Sequence, residues 1–275
     1  MSEAVDLTVN STEEFKEGST YCIPVTIRST SAMKVLEASR TLFVVLKTPV
    51  ISKAIYLGSN IYRVDSFKQE SSLAALPQVT MEARVYVESF ASWDPYISSI
   101  MGIEGVFGVR FGDVKVSPNA VQICHDSYQP AAESHKFDTN KWYHIAAVWS
   151  GSTFDIYIDG QYATGVPVGG ETINLTSDNS GGFYIGASYG GGRPLYGYVA
   201  EVRVWTRALS QSEIANNMNY VDPQSEGLLA YWRMNAYEPR EGGGNIVKDE
   251  TGHGHDAVGG ANTPKMMDTK RLGDP

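Results

Sequence analysis

Residues 141–160, KWYHIAAVWSGSTFDIYIDG, constrain the fold of this chain more tightly than any other stretch. Read at period two, Trp142, His144, Ala146 and Val148 share one face of a strand, and Tyr143, Ile145, Ala147 and Trp149 share the other. Both faces are largely apolar, which suits a strand inside a layered sheet rather than at its edge. Ser150-Gly151-Ser152 is a turn cluster. Phe154, Ile156 and Ile158 then alternate with Asp155, Tyr157 and Asp159, the pattern of a half-buried strand. Asp159-Gly160 supplies the positive φ values of a tight hairpin, and residues 161–163 begin the return strand. The three strands form a meander, expected in the middle of an antiparallel β sandwich.

The same stretch carries a family resemblance. Trp142, His144 and Ala146 at alternate positions, then a strand ending in Tyr157-Ile-Asp-Gly160, resemble a laminin G-like domain. Two further blocks follow in family order: GYVAEVRVWTRALSQSEI at 197–214, and GLLAYWRM at 227–234 with VKDETGHG at 247–254. Ala200 departs from the family, where an aspartate commonly precedes the Glu-Val-Arg strand. The resemblance implies an all-β fold, an antiparallel jelly-roll β sandwich of the concanavalin A-like lectin/glucanase superfamily, spanning residues 50–275. It leaves function open, because this fold hosts lectins, glucanases and adhesive modules alike.

Residues 1–47 read as a small N-terminal β segment, with strands over 5–9, 21–27 and 41–46. A segment this short buries little core alone. Tyr21-Cys-Ile-Pro-Val-Thr-Ile27 and Thr41-Leu-Phe-Val-Val-Leu-Lys47 resemble the C-terminal half of an immunoglobulin-like domain of unknown function. That domain precedes laminin G-like modules in surface lipoproteins of certain Gram-negative bacteria. The resemblance implies a surface-anchored or secreted protein whose signal and lipid anchor lie outside the sequence. Lys47-Thr-Pro49 marks the junction, since the residue before proline is pushed to extended geometry. Cys22 and Cys124 fall in different segments; two separate buried thiols are expected, with a disulfide between them as the alternative.

Further strands are expected at 54–64 (two short ones split by Gly58-Ser-Asn60), 79–88, 105–111, 120–124, 183–187, 198–205 and 228–234. Residues 125–140 and 169–182 read as loops, as does the Gly-rich tail from Glu241. Ser210-Gln-Ser-Glu213 is a capping box opening one short helix that ends near Asn219.

Several chemistries are disfavoured. The formal charge is −9, and no Lys/Arg cluster offers a phosphate track, which argues against nucleic acid. No segment approaches eighteen consecutive apolar residues, so no membrane-spanning helix is expected. Glycoside hydrolysis needs two carboxyls, about 5 Å apart for retention or about 6.5–9.5 Å for inversion. A strand supplies a close pair most simply as acid-x-acid, and no such pair occurs among the 31 Asp and Glu residues. Acids from separate strands remain open as a third reading. His144 reads as a core histidine, and no Gly-x-Ser-x-Gly elbow is present.

Metal is the one cofactor the sequence raises. KDETGHGHD at 248–256 concentrates oxygen donors around two glycines. The matching family segment lies near a calcium site in some members, which implies Asp249 as the ligand to test. The bland alternative is that Asp249 caps a turn with its own backbone. Zinc at His253 and His255 lacks an evident third ligand.

Sugar binding uses aromatic faces, with polar side chains fixing hydroxyls. Trp142, Trp149, Trp205 and Trp232 sit in strand patterns as core. Trp93 and Tyr96 in one loop, with Tyr189, Arg193 and Tyr196 around SYGGGRP in another, are the candidate ligand contacts. The favoured reading is non-catalytic binding of a glycan or glycoprotein; the second is a structural or adhesion module that docks a protein.

Overall fold

The computed structural model describes residue 8 and residues 20–31, 34–47 and 51–270. Contacts divide the chain at Ile51/Ser52 into two units, Lys270 belonging with the first. In the first unit, β1 (Thr20–Thr26) and β2 (Thr41–Lys47) form an antiparallel pair running from Thr20↔Lys47 to Thr26↔Thr41. Cys22 on β1 is exposed, not buried as expected, while Cys124 is buried; both are free thiols. The expected strand at 5–9 and the Thr48-Pro49 junction lie outside the described residues.

The second unit is a two-layer β sandwich. Its strands in chain order begin with β3 (Ile51–Tyr56), β4 (Tyr62–Arg63), β5 (Val79–Ser89), β6 (Ser98–Ile103), β7 (Phe107–Asp113) and β8 (Val116–Cys124). The central meander follows as β9 (Trp142–Trp149), β10 (Thr153–Ile158) and β11 (Gln161–Pro167). After it come β12 (Tyr184–Ile185), β13 (Tyr196–Trp205), helix α1 (Gln211–Asn217) and β14 (Leu228–Trp232). The tail adds β15 (Glu238–Pro239), β16 (Asn245–Val247), β17 (Ala257–Gly259) and β18 (Met266–Lys270). One sheet has the order β11-β10-β9-β5-β13-β3-β18, with β14 also paired to β13. The other runs β15-β16-β17-β4-β12-β6-β7-β8.

Alternation dictates what each sheet buries. Val79, Met81, Ala83, Val85 and Val87 of β5 face inward with Tyr143, Ile145, Ala147 and Trp149 of β9, as the pattern predicts. Phe107, Val109 and Phe111 of β7 and Val121 and Ile123 of β8 come from the opposite layer. Burial of these side chains is worth roughly 1.5–3 kcal/mol apiece and is the main force holding the layers together. Asp159 and Gly160 take φ of 49° and 74°, the left-handed pair expected at the tight hairpin.

The meander sits at one end of its sheet, not in the middle: β9 is interior, but β11 is an edge strand. Strand β6 and the short tail strands β15–β18 were not foreseen from the pattern. Helix α1 opens with the expected capping box, Ser210 Oγ accepting from the Glu213 N–H while Glu213 accepts from the Ser210 N–H. Its Ile214 is buried with Ala146, Val148, Trp205 and Tyr231, so the helix packs on the outer face of the first sheet.

Candidate functional site

The outer face of the second sheet carries a polar row fixed by strand register. Ser99 of β6 pairs with Arg110 of β7, which pairs with Gln122 of β8. Because Val109 and Phe111 point into the core, Arg110 points out. Arg110 is nonetheless only 4% exposed. Its guanidinium donates to Gln122 Oε1 at 3.0 Å, Glu104 Oε1 at 2.9 Å and Asp113 Oδ2 at 2.5 Å. Arg193 Nη1 reaches the same Glu104 oxygen at 2.6 Å. Ser188 Oγ and Ser99 Oγ lie 2.8 Å apart. Burial alone would push the Glu104 carboxyl up, but Arg110 and Arg193 outweigh it and hold it below its ordinary value.

Three loops wall this floor. In the loop at 90–97, Tyr96 N–H donates to the Trp93 carbonyl at 2.7 Å, across the cis Asp94–Pro95 bond. The Trp93 ring packs edge-on against Tyr196, centroids 6.2 Å apart. The second, the turn at 114–115 between β7 and β8, follows Gly112, the β7 residue over which the first loop passes. At φ 69° an added Cβ would sit 2.0 Å from the Tyr96 carbonyl. In the third loop Ser188 N–H donates to the Gly192 carbonyl at 3.0 Å, and the Arg193 carbonyl accepts from Ser99 N–H at 2.9 Å. The Arg193 guanidinium lies 4.7 Å from the Tyr189 ring centroid, stacked over it.

Of the residues expected to touch ligand, Trp93 packs with Tyr196 and Tyr189 with Arg193 at this corner, and the Tyr96 backbone passes over Gly112 of β7. Trp93 is 57% exposed and Tyr189 64%. Val114, also strongly exposed, belongs to the middle loop. Tyr96, Tyr189 and Arg193 adopt φ of 64°, 49° and 53°. That left-handed region costs an L residue about 1–2 kcal/mol, and bulky side chains seldom occupy it. Backbone strain of this kind collects at ligand clamps. The floor residues Glu104, Arg110, Asp113 and Gln122 were not foreseen. The alternation in β7 was the available signal, since it sets one arginine between Val109 and Phe111.

Asp249 lies elsewhere and is 7% exposed. Its Oδ1 accepts from the N–H groups of Tyr231 and Thr251 at 3.0 and 3.1 Å. Its Oδ2 accepts from the His255 N–H at 3.2 Å, and the Thr251 hydroxyl contacts both oxygens at 2.8 Å. A carboxylate so occupied by donors would have to shed them to ligate a cation. Among the described residues no group of three or more His, Cys, Asp or Glu is placed to hold a metal. The donor set at Asp249 does not fit calcium and does fit a turn cap.

Two carboxylates from separate strands do converge, but out of reach. Glu82 of β5 and Glu201 of β13 both bind Arg203, at 2.9 and 3.2 Å, and all three are fully buried. Trp205 Nε1 donates to Glu82 at 2.9 Å, the Tyr231 hydroxyl donates to Glu201, and Arg203 donates to the Asn217 carbonyl at 2.8 Å. His144 Nε2 stands 3.2 Å from Glu82 Oε2. Burial raises the Glu82 carboxyl, yet Arg203 and His144 outweigh it and bring it down to about 2. The expected core histidine is thus one member of an ionic cluster beneath α1.

No curated protein matches the chain. Residues 65–215 match the concanavalin A-like lectin/glucanases superfamily. The chain is similar to the structure of a candidate carbohydrate-binding protein from Bacteroides ovatus, at 28% identity and a TM-score of 0.71, over 92% of this chain and 70% of that one. It is also similar to the heptameric SAP-like pentraxin of Limulus polyphemus, at 13% identity and a TM-score of 0.49, over 81% of this chain and 97% of the pentraxin. A third similarity is to domain 4 of an extracellular arabinanase from Geobacillus stearothermophilus, at 15% identity and a TM-score of 0.40, over 52% and 66% of the two chains.

Proposed function

Because the chain belongs to the concanavalin A-like lectin/glucanase superfamily, we propose that it binds a glycan without cleaving it, at the aromatic corner above Arg110. One observation carries the reading. Tyr96, Tyr189 and Arg193 are held in left-handed backbone beside the exposed rings of Trp93 and Tyr189, which gathers bulky aromatic side chains and a cation at one edge of the sandwich. The exposed rings of Trp93 and Tyr189 offer faces to pyranose C–H groups. Arg193 offers further donors and Glu104 further acceptors to hydroxyls. The similarity to a candidate carbohydrate-binding protein supports the same class of ligand.

Non-catalytic binding is favoured by the state of the acids. A glycosidase needs one carboxyl with a raised pKa to protonate the leaving oxygen. Glu104 is shifted the other way, and Glu82 and Glu201 are sealed beneath the helix. The reading implies a protein that works outside the cell, surface-displayed or secreted.

A glycan-array screen of the full chain, with calcium and again with a chelator, tests the proposal. A specific hit that survives chelation is expected. Silence in both conditions from demonstrably folded protein would favour protein docking by the same exposed patch, and release of reducing ends from a bound glycan would favour hydrolysis.

A further inference from the structure

A second concavity, lined by residues none of which belongs to the aromatic corner, opens where the C-terminal loop meets the segment after β4. Its volume is about 510 Å³, and its polar side chains are Glu70, Thr206, Ser225, His253 and His255. That volume is typical of small-ligand sites. Hydrogen bonding orients both imidazoles. His253 Nδ1 lies 2.9 Å from the Leu229 carbonyl, which can only accept, so Nδ1 is the donor there and Nε2 has no part in that bond. His255 Nε2 lies 3.2 Å from Glu70 Oε2, and its Nδ1 lies 3.0 Å from Ser66 Oγ. A carboxylate accepts, so Nε2 of His255 donates to Glu70 and Nδ1 takes the serine proton. Burial lowers the His255 pKa, in keeping with a neutral ring.

These assignments leave a wall of acceptors. Glu70 keeps lone pairs beyond those used by His255 and Ser72, the latter at 2.9 Å. Thr206 gives its hydroxyl proton toward the Gly227 carbonyl at 3.4 Å and keeps its oxygen free to accept. Arg207, which packs against Gly227, commits its guanidinium to Glu213 at 2.7 Å and to the Glu226 carbonyl at 2.9 Å. A carboxylate with no Lys or Arg partner in the pocket lining, two imidazoles and hydroxyl oxygens call for a donor-rich cationic group. As no metal-holding group of three such residues exists among the described residues, an organic cation suits the pocket better than a metal ion.

We propose that this pocket binds the protonated primary amine of a small hydroxylated molecule, a hexosamine with its amine free being the simplest case. The site does not rest on the glycan reading of the aromatic corner. The probes are glucosamine, N-acetylglucosamine and glucose, titrated into the full chain while the imidazole resonances of His253 and His255 are followed by NMR. Glucosamine is expected to shift both, and the acetylated and amine-free sugars to shift neither. Glu70→Gln and, separately, His253→Gln should each weaken glucosamine binding about tenfold, the scale of a lost hydrogen bond to a charged group. Tyr189→Ala should leave it unchanged. No response to glucosamine, equal responses to all three sugars, or unaltered affinity in both pocket variants with unaltered melting would overturn the proposal.

Discussion

Replacing Glu82 by glutamine is expected to destabilise the sandwich severely while preserving its shape. The substitution keeps side-chain volume but removes the charge that Arg203, Trp205 and His144 surround. The carboxyl titrates at about 2 against an ordinary 4.5. At 1.36 kcal/mol per pH unit this corresponds to about 3 kcal/mol of stability at neutral pH. Stranding one partner of a buried pair costs about 3–5 kcal/mol by the independent route of mutational precedent. A domain of this size loses about 2–4 °C of melting temperature per kcal/mol, so a drop on the order of 10 °C is expected. The sign with pH follows from the depressed folded value: the contribution is full above about 4.5 and disappears as pH falls toward 2. Denaturant unfolding of wild type and variant from pH 7 to pH 2 should show a gap that narrows across that window. A gap below about 1 kcal/mol at pH 7, or one that does not change with pH, would refute the structural role assigned to this cluster.

Gly112→Ala should cost about 2 kcal/mol or more, because φ of 69° disfavours alanine and the new methyl meets the Tyr96 carbonyl; chemical denaturation reads the loss, and glycan affinity should fall with it. Ser210→Ala removes the oxygen that caps α1 and should cost about 1 kcal/mol in the same assay without changing glycan affinity.

Much of the layer structure was legible because alternation is a direct record of burial. β5, β9 and β10 bury the residues their period assigns, and the Asp159-Gly160 turn and Ser210 cap carry their own stereochemistry. β6 was not legible: every residue from Ser98 to Ile103 is buried, so its sequence carries no contrast between faces. The tail strands are two to five residues long and interrupted by glycine, too short to show a period.

The candidate site was half legible. Its aromatics stood out as rings in glycine- and proline-rich loops. The floor did not, because Arg110 and Glu104 become partners only when β6 and β7 pair. Asp249 illustrates the opposite case, in which an oxygen-rich segment spends its acceptors on its own fold. The outward faces of β5 and β13 look polar in sequence, yet Glu82, Glu201 and Arg203 are buried by a helix that no local pattern connects to them.

Titration of the glycan identified by the array into wild-type chain, Trp93→Ala and Tyr189→Ala tests the central claim most directly. Loss of a ring–sugar contact at both positions should weaken binding by tenfold or more, on the scale of aromatic contacts. Melting should stay close to wild type, because both rings are exposed. Full affinity in both variants would place recognition elsewhere on the sandwich and contradict the assignment of the aromatic corner.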